Sequence, residues 1–350
     1  MAYTTINKPS NYFDNKLYTG TGATNSVTGV EFQPDLTWIK NRSGTDWHRL
    51  IDAVRGVTKE LYSNATNAEV TLAQSLQTFN ANGFTLGTQA EVNRNGDNFA
   101  SWNWKANGAG VANTAGTISS TVSANTTAGF SIVSYTGNAT GNSTVGHGLG
   151  AVPKFIIVKS RSTVQSWGTL SASFVSAGTP NIVYLNSTAA QATDTNVWGT
   201  SASFDSLTFT VGTWDGSNAN GTTYIAYCWS EIKGYSKFGK YTGNGSSDGT
   251  FVYTGFKPAF VMIKQSSASG EGWFILDNKR ETINPMGTLL IANDAGADNT
   301  SQNPILDFTS NGFKLRRTWS GVNGSGGTYI YMAFAEQTLV GTNNIPCTAR

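Results

Sequence analysis

Gly327-Thr328-Tyr329-Ile330-Tyr331-Met332-Ala333-Phe334-Ala335-Glu336, a glycine turn feeding an aromatic-rich run, is one of three occurrences of a single layout. The second is Gly221-Thr222-Thr223-Tyr224-Ile225-Ala226-Tyr227-Cys228-Trp229, and a looser one is Gly96-Asp97-Asn98-Phe99-Ala100-Ser101-Trp102-Asn103-Trp104. Each closes a unit that opens with Tyr-Thr-Gly, at Tyr18, Tyr135 and Tyr241, so the openings lie 117 and 106 residues apart. The chain is therefore read as triplicated, each unit long enough to bury its own core.

The most regular segment of every unit is a proline followed by an apolar run and a lysine. It appears as Pro34-Asp35-Leu36-Thr37-Trp38-Ile39-Lys40, as Pro153-Lys154-Phe155-Ile156-Ile157-Val158-Lys159, and as Pro258-Ala259-Phe260-Val261-Met262-Ile263-Lys264. Proline is tolerated where a strand begins, and an almost unbroken apolar run suits a strand buried on both faces. A tryptophan follows each lysine, Trp47, Trp167 and Trp273, and is expected to lie between sheets. Trp38, Trp104, Trp229 and Phe334 sit on repeat strands and are expected in the core.

Asn82-Gly83 and Asn311-Gly312, each between apolar runs, predict hairpins with type I′ turns; the second unit lacks the dipeptide, so its turn must differ. The spacing of Val70, Leu72, Ala73, Leu76 and Phe79 is compatible with a helix, but the matching segments of the other units have no helical period. Seven or eight short strands per unit of roughly 100 residues predict an all-β chain of three tandem antiparallel β-sandwiches, jelly-roll-like, in a row. The expected boundaries are an N-terminal arm at 1–13, sandwiches at 14–105, 128–232 and 233–338, a linker at 106–127 that is partly strand near its end, and a C-terminal tail at 339–350.

Charged residues make up only 13% of the chain, against about a quarter in average soluble proteins, and a net charge of +2 with scattered Lys and Arg gives no basic stripe. Nucleic acid is not an expected partner. No apolar run approaches the roughly 20 residues that cross a bilayer, so no membrane insertion is expected, and residues 1–10 lack the apolar core of a signal peptide. Cys228 and Cys347 form no paired framework, and no disulfide is expected.

The candidate chemistry is sparse. His48 and His147 stand apart with no metal-ligand spacing, so no metal and no cofactor are expected, and His147 reads as a turn residue. Asp52 with Arg55 and Asp277 with Arg280 follow matching strands; a paired-carboxylate glycosidase would use such acids, but the second unit has none, and strand-end ion pairs are the expectation. The Gly-rich runs lack the Lys-Ser/Thr ending of a phosphate loop. Trp214 and Trp319 differ from the other tryptophans because they stand in the loop before the last strand, where the first unit has Gln89. Together with Asp215, Asn218 and Arg317 they are the candidate binding surface for a sugar or a protein partner.

The Tyr-Thr-Gly openings, the Gly-x-x-Pro-strand-Lys block and the Gly-Thr-Tyr-Ile-Ala-Tyr block together resemble a family of virion structural proteins of tailed bacteriophages, mostly marine. The likeness runs from Tyr18 to the Val340-Gly341-Thr342-Asn343-Asn344-Ile345-Pro346 ending and is strong in Phe238-Gly239-Lys240-Tyr241-Thr242-Gly243-Asn244-Gly245 and in the stretch from Gly249 to Pro258. The resemblance implies a non-enzymatic part of a virion, assembled in the host cytoplasm: a tail fibre or tail-tip adhesin for host attachment, or a capsid decoration protein. It implies other virion proteins and further copies of the chain, a trimer among them, as partners, with a host surface glycan as ligand. A carbohydrate-active enzyme is the alternative from another class. Tyr3, Tyr12 and Phe13 at one end and Leu339, Val340 and Ile345 at the other lie outside the repeats and are expected to pack on neighbouring subunits or on the virion.

Overall fold

The computed structural model describes residues 3–174, 180–200 and 204–340. Almost all regular structure is antiparallel β, and the same four-strand core sheet recurs in each repeat. In every case the opening strand pairs with the closing strand, the closing strand with the lysine strand, and the lysine strand with the one after it. The first repeat uses Phe13–Thr19, Asn98–Trp104, Leu36–Asn41 and Arg49–Asp52. The second uses Phe130–Thr136, Thr223–Trp229, Phe155–Ser160 and Gly168–Ser171. The third uses Ser236–Thr242, Thr328–Thr338, Phe256–Gln265 and Trp273–Asp277. A smaller sheet covers one face of each core sheet: Asn25–Thr28 with Gly83–Leu86 and Leu76–Asn80, Ser143–Gly146 with Thr208–Val211, and Phe251–Tyr253 with Gly312–Leu315 and Leu306–Thr309.

Strand alternation then sorts the apolar residues into two kinds of core. Ile39, Ile51 and Phe99 meet Val27, Phe84 and Leu86 of the first repeat's small sheet, and the other repeats have matching clusters around Val158 with Phe209 and around Ile263 with Phe313. The neighbouring positions turn the other way, into one cluster shared by all three repeats: Trp38, Trp102 and Trp104, then Phe130, Phe155, Ile157 and Trp229, then Phe260, Met262 and Phe334. Trp104 lies at 6.1 Å from Trp229 and 5.7 Å from Phe334, and Phe155 at 6.4 Å from Trp273. Beyond the expected antiparallel sheets, the second faces of the core sheets are apolar, and they are buried against one another around a common centre.

Other expectations change for equally physical reasons. The linker has the strand expected near its end, Ser120–Asn125, but also the strand Val111–Asn113, and the two extend the second repeat's sheet by pairing outside Phe130–Thr136. The hairpins form, but Asn80 pairs with Gly83 and Thr309 with Gly312, so the two-residue loops are Ala81-Asn82 and Ser310-Asn311 and neither asparagine has positive φ. Each glycine instead starts the returning strand, where a Cβ would strike the carbonyl of Val27 or Val252 on the adjacent strand. In the second repeat Asp205 makes the turn, its carboxylate accepting from Leu207 N at 2.8 Å and Thr208 N at 2.7 Å. No helix forms between Asn67 and Phe79, where Val70–Thr71 and Leu76–Asn80 are strands.

The N-terminal aromatics pack within the chain rather than on a neighbour. Phe13 is buried and stacked on Phe334 at 4.7 Å, Tyr12 meets Tyr235 at 6.2 Å, and Tyr3 donates to Gly255 O at 3.1 Å. They fill the seam between the first and third repeats. Leu339 and Val340 are partly buried, whereas Ile345 and Cys347 lie outside the described residues.

Because one core serves all repeats, Trp104→Ala is expected to destabilise the whole chain by about 3–5 kcal/mol, the usual range for an aromatic deleted from a core. Calorimetry should resolve one transition that moves as a unit. Independent melting of the repeats, with only the first displaced, would contradict a shared core.

Candidate functional site

The loop before each closing strand, where the binding residues were expected, contains a one-turn helix: Ala90–Asn93, Asp215–Asn218 and Ser320–Asn323. Each helix ends in a fully buried asparagine that sequence reading did not single out as a set. Its amide donates to the carbonyl at the loop's start, Gly87 O at 2.7 Å, Gly212 O at 2.7 Å or Arg317 O at 2.8 Å. Its oxygen accepts the backbone N–H just after Tyr-Thr-Gly, from Thr21 at 2.9 Å, Asn138 at 2.9 Å or Asn244 at 3.0 Å. The motif tyrosine completes the device: Tyr18, Tyr135 and Tyr241 each donate, at 2.7 Å, to the carbonyl of Val92, Ser217 or Val322. A Cβ on Gly20, Gly137 or Gly243 would collide with the carbonyl of Arg94, Ala219 or Gly324. Opening and closing motifs recur together because they are bonded to each other.

Asn218 therefore belongs to the framework, not to a binding surface. Trp214 is partly buried, lying against Gly168 and its own Gly216, with Tyr184 at 5.7 Å. Trp319 is its counterpart, partly buried over Gly321 with Phe274 at 4.5 Å. Arg317 donates to Asn303 O at 3.1 Å, and the exposed Asp215 has its carbonyl taken by Tyr224 OH at 2.6 Å. The two groups keep these contacts inside their own repeats, and both rings spend much of their surface on local packing rather than between repeats.

Trp47 also departs from expectation, being 40% exposed. The strand register explains why: Trp273 pairs with Lys264, and the registers Val158 with Gly168 and Ile39 with Arg49, continued by one residue, put Trp167 across from Lys159 but His48, not Trp47, across from Lys40. These three rings bind across the repeats in a closed cycle. Trp167 donates to Tyr62 O of the first repeat at 2.8 Å, Trp273 to Tyr184 O of the second at 3.0 Å, and His48 Nε2 lies 3.1 Å from Ile291 O of the third. Trp38 Nε1 donates to His48 Nδ1 at 2.9 Å, so the histidine proton sits on Nε2 and points at that carbonyl. Burial holds this imidazole well below its usual pKa. A second cycle is made of backbone: Glu69 N to Arg161 O at 2.7 Å, Gln191 N to Ser266 O at 2.8 Å and Asp298 N to Arg42 O at 3.0 Å.

The acids weighed as catalytic are locked into these seams. Asp52 pairs with Arg55 at 2.5 Å and Asp277 with Arg280 at 2.6 Å, with no exposure of any of the four side chains. Each also accepts a bond from the next repeat, Asp52 from Tyr227 OH at 2.8 Å and Asp277 from Trp102 Nε1 at 3.1 Å. The arginines extend the chain of charge to Glu69 and Arg161 in one seam and to Asp298 and Arg42 in another. In the third seam both ends are gone: Ser171 stands in the acid's place, and Met332 in that of Tyr227 and Trp102.

Lys40, Lys159 and Lys264 are fully buried. Their ammonium groups donate to carbonyls, Lys40 to Gly44 O at 3.1 Å, Lys159 to Thr66 O at 3.2 Å and Lys264 to Glu271 O at 2.9 Å. Loss of hydration lowers their pKa to about 8, 7 and 8 respectively. Among the described residues no group of three or more His, Cys, Asp or Glu could hold a metal ion, and no helix is long and apolar enough to cross a membrane.

The chain belongs to the family described as Domain of unknown function (DUF7483), whose model matches residues 8–338. No curated protein and no solved structure matches it.

The lysines make stability rise with pH. Between about pH 7 and the ordinary lysine value of 10.5, the unfolded chain keeps protons that the folded one has shed, so raising the pH favours folding. Above about pH 10 the buried Tyr135, Tyr227 and Tyr241, held protonated by burial, reverse the sign. Melting temperature should therefore climb from pH 7 to about 9.5 and then fall, and Lys159→Met should flatten the climb. A wild-type melting temperature that is flat or falling between pH 7 and 9 would contradict this.

Proposed function

We propose that the chain is a structural component of a bacteriophage particle, carried on its surface, with loops that meet the host envelope as a tail-fibre or tail-tip adhesin does. The observation that carries this reading is the closed cycle of contacts around one aromatic core. The buried acids, arginines and lysines are spent on holding repeats and loops together, which suits a rigid module better than a reaction centre. The Asp52 and Asp277 carboxylates have no exposure and no open side, so the glycosidase reading loses the acids it would use. The sequence resemblance supports the same assignment, with other virion proteins and further copies of the chain as partners.

A second reading, capsid decoration, is favoured by the arrangement of the repeats. A single chain with three equivalent faces suits a point where three shell subunits meet.

The test is antibody labelling of intact particles from the phage that encodes the chain, viewed by electron microscopy. Label at the tail tip or fibres is the expected result, and label over the head would select decoration. Particles left bare, with the protein found only free in lysates, would refute both.

A further inference from the structure

Register places Arg49, Gly168 and Phe274 at one position of the repeat, opposite Ile39, Val158 and Ile263. The strand beyond places Tyr184 and Ile291 beside the latter two, and Tyr62 beside Arg49, through the Leu50–Leu61 bridge. In the second and third repeats the tryptophan preceding the one-turn helix lies on this place, Trp214 against Gly168 and Tyr184, Trp319 against Phe274. The first repeat has Gln89 there, and Glu91 where the others have Gly216 and Gly321. What the other repeats fill is left open: a cleft of about 330 Å³ lined by Thr45, Asp46, Trp47, Arg49, Tyr62 and Glu91.

Its lining is built rather than accidental. Trp47 stands edge-on to Tyr62 at 5.3 Å and is 40% exposed. The Arg49 guanidinium lies over the Tyr62 ring at 4.3 Å, paired with the buried Glu60 at 3.2 Å and with Glu91 at 3.9 Å. Asp46 is held by Asn41 Nδ2 at 2.7 Å and by Arg94 at 3.2 Å. Fixed polar groups of this kind bind with less ordering cost than free ones.

The chemistry selects among ligands. A cation would meet Arg49, which already covers a face of Tyr62, and an anion would meet Asp46 and Glu91. A purely apolar ligand would strand the charged lining without partners. A neutral sugar suits this polar lining: its hydroxyls donate to the carboxylates and accept from Arg49, and the exposed Trp47 ring stands at the cleft's edge. The volume lies at the lower end of the roughly 300–1,000 Å³ typical of small-molecule clefts, which suits one ring of a longer glycan. The geometry points to this cleft as a binding site for a neutral pyranose. That the sugar belongs to a host-envelope glycan rests on the particle-surface reading; the binding does not.

The experiment uses the purified full-length chain and the methyl glycosides of glucose, galactose, mannose and N-acetylglucosamine. Saturation-transfer NMR on the sugar and tryptophan fluorescence on the protein are both read. At least one glycoside should bind saturably in the millimolar range, with Trp47→Ala weakening it by roughly tenfold or more. Glu91→Gln should weaken it severalfold, and Ile283→Ala, at an exposed position outside the cleft, should leave it unchanged. Because Trp47 is exposed, its variant should melt with the wild type; if it does not, Glu91→Gln carries the test alone. No response to any of the glycosides, or a response untouched by both cleft variants, would overturn the site. Bare particles with sugar binding intact would instead sink the particle-surface reading and spare the cleft.

Discussion

The interaction on which the rest depends is the burial of each core sheet on both faces. One face is covered by the repeat's own small sheet. The other is covered only by the remaining two repeats, through Trp104, Trp229, Phe334 and the rings around them. Each buried aromatic contributes a few kcal/mol, so no repeat can leave this face in water without losing much of a margin that is typically 5–15 kcal/mol for a whole domain. Separation of the repeats is therefore excluded by the same residues that define the strands.

Bringing three sheets together also buries their edges and loops, and buried polar groups require partners. The structure answers with the same bonds three times over: a ring N–H to the neighbouring repeat's carbonyl, a backbone N–H to the neighbour's carbonyl, and a lysine to loop carbonyls. The ionic seams are an optional addition. Two seams carry an acid, an arginine and an aromatic donor, and the third replaces the matched acid and donor with Ser171 and Met332. Losing acid and donor together fits the energetics of buried hydrogen bonds: removing one partner alone leaves the other unsatisfied at a cost of about 1–3 kcal/mol, whereas replacing both can be nearly neutral.

Much of the strand order was legible because proline, apolar run and lysine recur with so little variation, and two-sided burial could be read from the unbroken apolar run of Phe155 to Val158. What covered the second side could not be read, since neither periodicity nor composition encodes which surface meets which. Spacing misled by one residue at Trp47, where a tryptophan beside the true position concealed that His48 performs the tryptophan's bond. The asparagine-glycine dipeptides gave the right hairpins with the loop placed one residue earlier, and both glycines are required by a neighbouring strand's carbonyl, Gly83 having a positive φ of 148° besides. The Tyr-Thr-Gly motif marked the repeats, but its cause, a bonded device with Asn93, Asn218 or Asn323, joins residues 72 to 82 apart and is visible only in three dimensions.

Repetition also changes how variation should be read. Trp214 and Trp319 attracted attention as tryptophans in polar loops, yet their agreement with each other is what marks them as packing residues filling one shared place. The informative repeat is the one that breaks the agreement. Replacing that tryptophan by Gln89 removes apolar packing, and replacing the helix glycine by Glu91 adds a charge; the two new side chains bond to each other, and Glu91 pairs with Arg49 at 3.9 Å. Both are compensated if the space they open is used, and the exposed ring of Trp47 stands at its edge. A framework held in triplicate tolerates such a loss in one copy, because the common core and the cyclic bonds keep the loop in place without the missing ring.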